Sequence, residues 1–198
     1  PYLQRQLGLL KNWHENENVA MSLWLYHTFP LEIANNGRFY AFPGFFAREL
    51  GKQFKLFRDY KINGIFHCGF NDEVENYLSW RLMDDPAADV EALLSEYFTM
   101  FYGPAGPAIE KFYNLVEGRY CDPANYPRQG GQPYNGHQTV RIAWQYLGTP
   151  EVMAQLAGCM AQAHAAAVTP EQKRRVELWD QGVYQYMRKG HETYMTRM

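Results

Sequence analysis

The sequence has 198 residues, of which 46% are hydrophobic and 16% aromatic, which is enough to bury a core of ordinary size. Its formal net charge of −2 argues against nucleic acid as a partner, because phosphate backbones are held by strongly basic surfaces. No apolar run approaches the roughly 20 residues that a transmembrane helix needs, so no membrane span is predicted.

The first part of the chain alternates between helix and strand patterns. An amphipathic helix is predicted over residues 2–15. Because the sequence begins at Pro1, without an initiating Met, and enters this helix directly, we expect it to be part of a longer chain. Residues 19–26, VAMSLWLY, are a nearly continuous apolar run, typical of a strand in a parallel sheet. A helix with an apolar stripe follows over 46–57, and a short strand over 64–69. This order predicts a βαβ unit with parallel strands, which needs further strands to form a stable sheet.

The sequence after residue 69 predicts helices. One covers residues 74–82, and two more, over 90–101 and 108–116, form a helical hairpin around Gly103-Pro104. Residues 118–137, rich in Gly, Pro, Asn and Tyr, are predicted to be a loop.

Helical periodicity resumes at Val140, and two similar helix starts follow. Thr149-Pro150-Glu151 and Thr169-Pro170-Glu171-Gln172 each place Thr at the N-cap and Pro at the first helical position. Gln172 also completes a capping box, and the last helix is predicted to extend toward Tyr194. We expect Met153, Met160 and Met187 to be core residues, and Lys173, Arg174 and Arg175 to form a solvated helix face.

Residues 64–116 carry a group of motifs that occur together in one family. They are Gly64-Ile65-Phe66, Tyr77-Leu78 through Leu82 with Asp85-Pro86, the helix at 90–97 and, most specific, Phe101-Tyr102-Gly103-Pro104-Ala105. This region resembles the bacterial family "domain of unknown function 4838", glycoside-hydrolase-like barrel proteins related to α-glucuronidases and β-hexosaminidases. Residues 24–27 and 57–61 look like the ends of its final βα units, so the resemblance covers residues 18–117.

The resemblance implies a fold that is α/β plus all-α and predominantly helical overall. Residues 1–85 would hold the last two βα units of a (β/α)8 TIM barrel, and residues 86–198 a C-terminal helical domain. It implies that the parent protein acts on a polysaccharide or oligosaccharide, with the remainder of the barrel and a second copy of the chain as candidate protein partners. It also favours a secreted or periplasmic location.

Candidate sugar-binding residues follow from the barrel geometry, because active sites of such barrels lie at the carboxyl ends of the strands. They are Trp24, Tyr26, His27, His67 and Asn71. Aromatic rings can stack on a pyranose, and neutral imidazoles can hydrogen-bond its hydroxyl groups. The alternatives are that Trp24 fills the barrel core and that backbone carbonyls satisfy both histidines.

No metal or cofactor is predicted. The two histidines have no HxxxH spacing or third ligand, and the sequence has no phosphate loop or nucleotide fingerprint. The cysteines, Cys68, Cys121 and Cys159, are odd in number and share no CxxC spacing, so we expect free thiols.

The catalytic residues are not predicted from this sequence. A glycosidase needs two carboxyl groups across the scissile bond, and we expect them on earlier strands. Four carboxylates are near the predicted mouth: Glu32, Asp72, Glu73 and Glu75. Those at 72–75 begin a helix, where capping and the helix dipole also explain them.

A second hypothesis treats the segment from residue 86 onward as a structural module or as a glycan-binding module that does not cleave its ligand. Its contact residues would be Tyr120, Tyr126 and Tyr134 of the 118–137 loop. Two carboxylates at the strand ends of an upstream sequence would favour the enzyme, and their absence would favour the binding module.

Overall fold

The computed structural model of the chain describes residues 2–16, 20–25, 38–67, 73–134 and 136–197. These residues are predominantly helical and contain two strands. They divide into two compact units, one formed by the described residues before position 30 together with 47–90, and the other by 38–46 together with 91–197. None of the helices in these ranges is long and apolar enough to cross a membrane.

The first unit contains a parallel pair of strands. Its elements are helix α1 (Tyr2–Asn16), strand β1 (Met21–Leu25), helix α2 (Ala47–Asp59), strand β2 (Ile62–His67) and helix α3 (Glu73–Asp84). The strands pair in parallel, from Ser22 opposite Gly64 to Leu25 opposite His67. The predicted βαβ order and parallel pairing are therefore confirmed, although β2 begins two residues earlier than the expected Gly64.

Helix α2 forms because its apolar residues recur along one face. Leu50, Phe54 and Phe57 are all buried, and α2 contacts both β2 and helix α3. On α3, Val74, Leu78 and Leu82 have the matching spacing and are also buried. The chain turns from α2 into β2 through Lys61, which has a positive φ of 54°.

The second unit is a group of helices. It contains most of α4 (Val90–Tyr102), then α5 (Gly106–Cys121), α6 (Pro150–Ala166), α7 (Pro170–Trp179) and α8 (Gln185–Met195). Short 3₁₀ turns lie at Gly103–Ala105 and Pro123–Asn125, and π-helical turns at Ile142–Leu147 and Asp180–Tyr184. Because α5 continues to Cys121, the loop begins four residues later than predicted.

Aromatic side chains dominate the core of the second unit. The ring of Trp179 makes edge contacts with Tyr102 and Phe112 at centroid distances of 6.2 and 5.8 Å. Phe45, from the 38–46 segment, stacks on Tyr113 at 4.7 Å. The three methionines predicted to be core residues are buried: Met153, Met160 and Met187.

Both predicted threonine caps are present in the structure. The Thr149 side chain accepts a hydrogen bond from Val152 N at the start of α6. At the start of α7, Thr169 and Gln172 form the complete capping box. The π turns were not predicted, because a helical repeat of apolar residues does not distinguish an i to i+4 from an i to i+5 hydrogen bond.

Candidate functional site

One face of the β1–β2 pair presents two exposed aromatic rings. Trp24 is opposite Phe66 in the register, and the ring centroids are 4.4 Å apart at an interplanar angle of 49°. Trp24 is 63% exposed and Phe66 is 54% exposed. Ser22 and Gly64 lie on the same face, because side chains alternate along a strand. We call Trp24 and Phe66 the aromatic pair.

The opposite face of the two strands is partly covered. It carries Leu23, Leu25 and Ile65, all of intermediate exposure, and it also includes His67, which pairs with Leu25. Burial lowers the pKa of His67 below its ordinary value, which favours a neutral imidazole. Trp24 and His67 therefore lie on opposite faces of the strand pair, and the ring that the fold brings to Trp24 is that of Phe66.

Several other residues predicted at this site lie outside the described residues. These are Tyr26, His27 and Asn71, together with the carboxylates Glu32 and Asp72. Of the remaining carboxylates, Glu73 is exposed and Glu75 is 1% exposed, both in the first turn of α3. Acidic residues in a first turn are favoured by the helix dipole, so their position has a structural explanation.

The most specific sequence motif, Phe101-Tyr102-Gly103-Pro104-Ala105, is a helix junction. It ends α4 and forms the 3₁₀ turn before α5, with Tyr102 and Ala105 buried. Gly103 has a φ of 58°, a conformation that favours glycine. A Cβ at Gly106 would lie 2.5 Å from the carbonyl oxygen of Phe98, so the two helices can approach closely only with glycine there. The motif has a structural role in the second unit.

The tyrosines of the 122–137 loop are held by backbone contacts. The hydroxyl of Tyr126 donates to the carbonyl of Tyr120 at 2.7 Å, and that of Tyr134 donates to the carbonyl of His137 at 2.5 Å. The rings of Tyr126 and Tyr134 are nearly parallel, 6.0 Å apart at 9°. Burial raises the pKa of Tyr126 far above its ordinary value, so this phenol stays protonated.

Arg119 fixes one end of the same loop. Its guanidinium donates to Leu147 O at 3.1 Å and to Asn125 Oδ1 at 2.5 Å, and it also donates to Tyr146 O. The arginine thus ties the 3₁₀ turn Pro123–Asn125 to the π turn Ile142–Leu147. This contact supports the loop's shape.

A cluster of three possible metal ligands was missed by the sequence analysis. It consists of His164 on α6, Glu177 on α7 and Asp180 at the start of the second π turn. Their nearest ligand atoms all lie within 4.8 Å of one another. The sequence signal was weak, because the only local element is an acidic pair with i, i+3 spacing, and the histidine comes from the preceding helix.

The structure thus defines a predominantly helical protein that also contains a parallel βαβ unit. A family model described as "Domain of unknown function (DUF4838)" matches residues 6–114, more than half of the chain. The chain therefore belongs to the DUF4838 family. The match includes both strands and the junction motif and ends within α5, so α6, α7 and α8 lie beyond it. No curated protein and no solved structure gives a significant match.

Proposed function

We propose that this chain is the C-terminal part of a glycoside-hydrolase-like (β/α)8 barrel protein, and that its strand ends form part of a binding site for a polysaccharide or oligosaccharide. The observation that carries the proposal is the aromatic pair, two exposed rings in contact on one face of a parallel strand pair. Tyr26, His27 and Asn71 are proposed to supply polar contacts at the same strand ends, whereas His67 lies on the opposite face of the pair and is not part of this surface.

The barrel proposal is supported by the unequal faces of the strand pair. Parallel strands occur almost only in larger sheets that are covered on both faces, and two strands alone are marginally stable. Here one face is partly covered and the other exposes Trp24 and Phe66. In a (β/α)8 barrel the helices cover the outside of the strands, so the face with the aromatic pair would point into the barrel.

The position of the aromatic pair along the strands supports sugar binding. Trp24 and Phe66 each occupy the next-to-last position of their strand, near the carboxyl ends at which barrel active sites lie. The two rings are tilted by 49°, and each offers an exposed apolar surface on which a pyranose can stack. Ligand sites commonly combine such apolar walls with a few polar groups, which the strand-end residues would provide.

The parent protein is proposed to hydrolyse a glycosidic bond with carboxyl groups carried on other strands of the barrel. The two groups must lie about 5 to 10 Å apart across the scissile bond. Glu75 is buried and Glu73 exposed at the start of α3, and each has the position of a helix-start residue. We therefore assign neither of them a catalytic role.

Binding of oligosaccharides by the full-length protein that contains this chain tests this proposal. A glycan array identifies a ligand, and titration calorimetry then compares Trp24→Ala and Phe66→Ala with the unsubstituted protein. Loss of one stacking ring should weaken binding by about 10-fold, corresponding to about 1.4 kcal/mol. Trp80→Ala is a matched control, because Trp80 is 67% exposed but lies on α3. Equal effects of Trp24→Ala and Trp80→Ala, or no bound glycan, would contradict the proposal.

The second candidate function is glycan binding without cleavage through the helical part of the chain. The nearly parallel rings of Tyr126 and Tyr134 favour it, because two adjacent and partly exposed rings offer an apolar surface to a sugar. Tyr120 would contribute from the end of α5. On this hypothesis Tyr134→Ala weakens binding to the identified glycan, whereas Trp24→Ala has no effect.

A further inference from the structure

A histidine and two carboxylates converge on the surface of the second unit, at residues that the proposed function does not use. His164 lies in the last turn of α6, Glu177 in the last turn of α7, and Asp180 begins the π turn Asp180–Tyr184. His164 Nε2 is 2.8 Å from Asp180 Oδ2, and the ligand atoms of all three residues lie within 4.8 Å of one another. The His164 side chain is 39% exposed and that of Asp180 is 18% exposed.

Two glutamine side chains orient the carboxylates from the outside. The amide of Gln185 donates to Asp180 Oδ1 at 2.8 Å, and the amide of Gln181 donates to Glu177 Oε1. Each carboxylate therefore has one oxygen occupied by a glutamine, while Asp180 Oδ2 points to His164. Metal sites have this two-layer arrangement, in which outer hydrogen bonds fix the direction of the ligand groups.

The local charge favours a cation. In the described part of the chain, no lysine or arginine forms an ion pair with Glu177 or Asp180, and Asp180 Oδ2 has His164 Nε2 as its partner. Two carboxylate ligands balance the charge of a divalent ion. The π turn Asp180–Tyr184 begins at one of the three ligands, and such turns are frequent at functional sites.

We propose that His164, Glu177 and Asp180 bind a divalent transition metal ion, with Zn²⁺ as the best probe. Zn²⁺ takes one imidazole nitrogen and two carboxylate oxygens at about 2.0 to 2.2 Å, which places tetrahedral ligand atoms about 3.4 Å apart. The spacing of up to 4.8 Å is near this value, so side-chain rotation closes the site. The ion replaces the hydrogen bond between His164 and Asp180. The imidazole ligand disfavours Mg²⁺, which prefers six oxygen ligands.

Titration calorimetry of the purified 198-residue chain with ZnCl₂, after treatment with a chelator, tests the site. We expect one Zn²⁺ per chain and much weaker binding of Mg²⁺. His164→Ala and Glu177→Gln should each weaken Zn²⁺ binding by more than about 10-fold, and Gln185→Ala by about 10-fold. Glu177→Gln changes one charge with little change in shape, so it also serves if His164→Ala does not fold. His137→Ala is the matched control, because His137 is exposed in the same unit but outside the cluster.

Cobalt spectroscopy separates this site from binding by the thiols. Co²⁺ should give visible absorption bands of a site with nitrogen and oxygen ligands, without the near-ultraviolet charge-transfer band of a thiolate. The proposal would be overturned if the chain did not bind Zn²⁺, or if His164→Ala and Glu177→Gln bound it as tightly as the unsubstituted chain. A thiolate band that persists in His164→Ala would also overturn it.

Discussion

The guanidinium of Arg175 lies over the ring of Phe101, 4.3 Å from its centroid, and donates a 2.6 Å hydrogen bond to the Phe101 carbonyl oxygen. That carbonyl is in the last turn of α4, where backbone acceptors have no partner within the helix. A cation there also interacts favourably with the helix dipole. Phe101 belongs to the segment that matches the family, and Arg175 lies beyond it, so α7 stabilises the junction from outside the matched region.

Arg175→Ala should lower the free energy of unfolding by about 1.5 to 3 kcal/mol, because a charge-assisted hydrogen bond and a cation–π contact are both lost. Arg175→Lys should recover only part of this, since lysine lacks the planar group that stacks on the ring. Arg174→Ala is the control, because Arg174 is exposed on the same helix. Urea unfolding followed by circular dichroism measures all three, and a negligible loss in Arg175→Ala would show that the contact does not stabilise the protein.

The conformation of Gly103 gives a second prediction. Gly103 and Gly130 have similar positive φ values, 58° and 56°, so alanine at either position carries the same backbone strain of about 1 kcal/mol. At Gly103, a Cβ would also meet the side-chain amide of Gln172, whereas at Gly130 nothing lies within 4 Å. Gln172 cannot move without cost, because its Oε1 accepts hydrogen bonds from Val168 N and Thr169 N.

Gly103→Ala should therefore destabilise the protein by about 1 kcal/mol more than Gly130→Ala, the typical value of a helix cap. The difference between the two midpoints in urea unfolding measures this excess. When both glycine substitutions are made in a Gln172→Ala background, the excess should be smaller, since the obstructing amide is then absent. Equal destabilisation by the two glycine substitutions would mean that only backbone strain matters at the junction.

Local patterns predicted the elements that depend on neighbouring residues. The apolar spacing of Leu50, Phe54 and Phe57 predicted α2, and the Thr-Pro-Glu starts predicted the caps of α6 and α7, because these signals lie within one or two helical turns. Parallel pairing followed from the βαβ order. The role of Arg175 was predicted wrongly. It was expected on a solvated helix face, but it contacts Phe101 on another helix, 74 residues away in the sequence.

The candidate site was only partly predictable for the same reason. Trp24 was identified from its position at the end of an apolar run, but its neighbour Phe66 was not, because the register of two strands is set by packing. His67 falls on the opposite face of the pair, which the position of a strand end does not determine. The cluster of His164 and Asp180 joins two helices, and no fixed spacing in a single sequence indicates such a contact.

The packing around Trp144 makes a third prediction. Trp144 is 1% exposed, and its Nε1 donates to Tyr40 O at 2.8 Å, so the ring has a fixed position. A Cβ at Gly190 would overlap this ring and lie 2.6 Å from Tyr40 Cβ. Gly190→Ala should destabilise the protein by about 1 to 3 kcal/mol, despite the better helix propensity of alanine.

Gly158→Ala on α6 is the control for this effect, because nothing lies within 4 Å of the added Cβ. It should stabilise the protein by about 0.5 to 1 kcal/mol, through helix propensity alone. Opposite signs for the two substitutions in thermal and urea unfolding are the expected result. A stabilising Gly190→Ala would show that Trp144 and Tyr40 can move aside.

The burial of His191 predicts how stability depends on pH. Its ring contacts Trp144 edge-on at a centroid distance of 6.3 Å, and burial lowers its pKa, an effect that Glu192 partly opposes. The unfolded chain, with a histidine pKa of about 6.5, therefore binds the proton before the folded chain does. Above that pH both forms are neutral and stability is unaffected, whereas stability falls as the pH decreases from about 6.5 through the lower folded pKa.

His191→Gln should remove the pH dependence that protonation of His191 causes. The free energy of unfolding should therefore decrease less between about pH 7.5 and about pH 5.5 in the variant than in the unsubstituted chain. The comparison isolates His191 from His67, whose pKa burial also lowers and which both chains retain. His137→Gln, at an exposed position, is the control for replacing a histidine by glutamine. Urea unfolding at the two pH values measures the loss of unfolding free energy in each chain. An identical loss in His191→Gln and in the unsubstituted chain would mean that protonation of His191 is not coupled to folding.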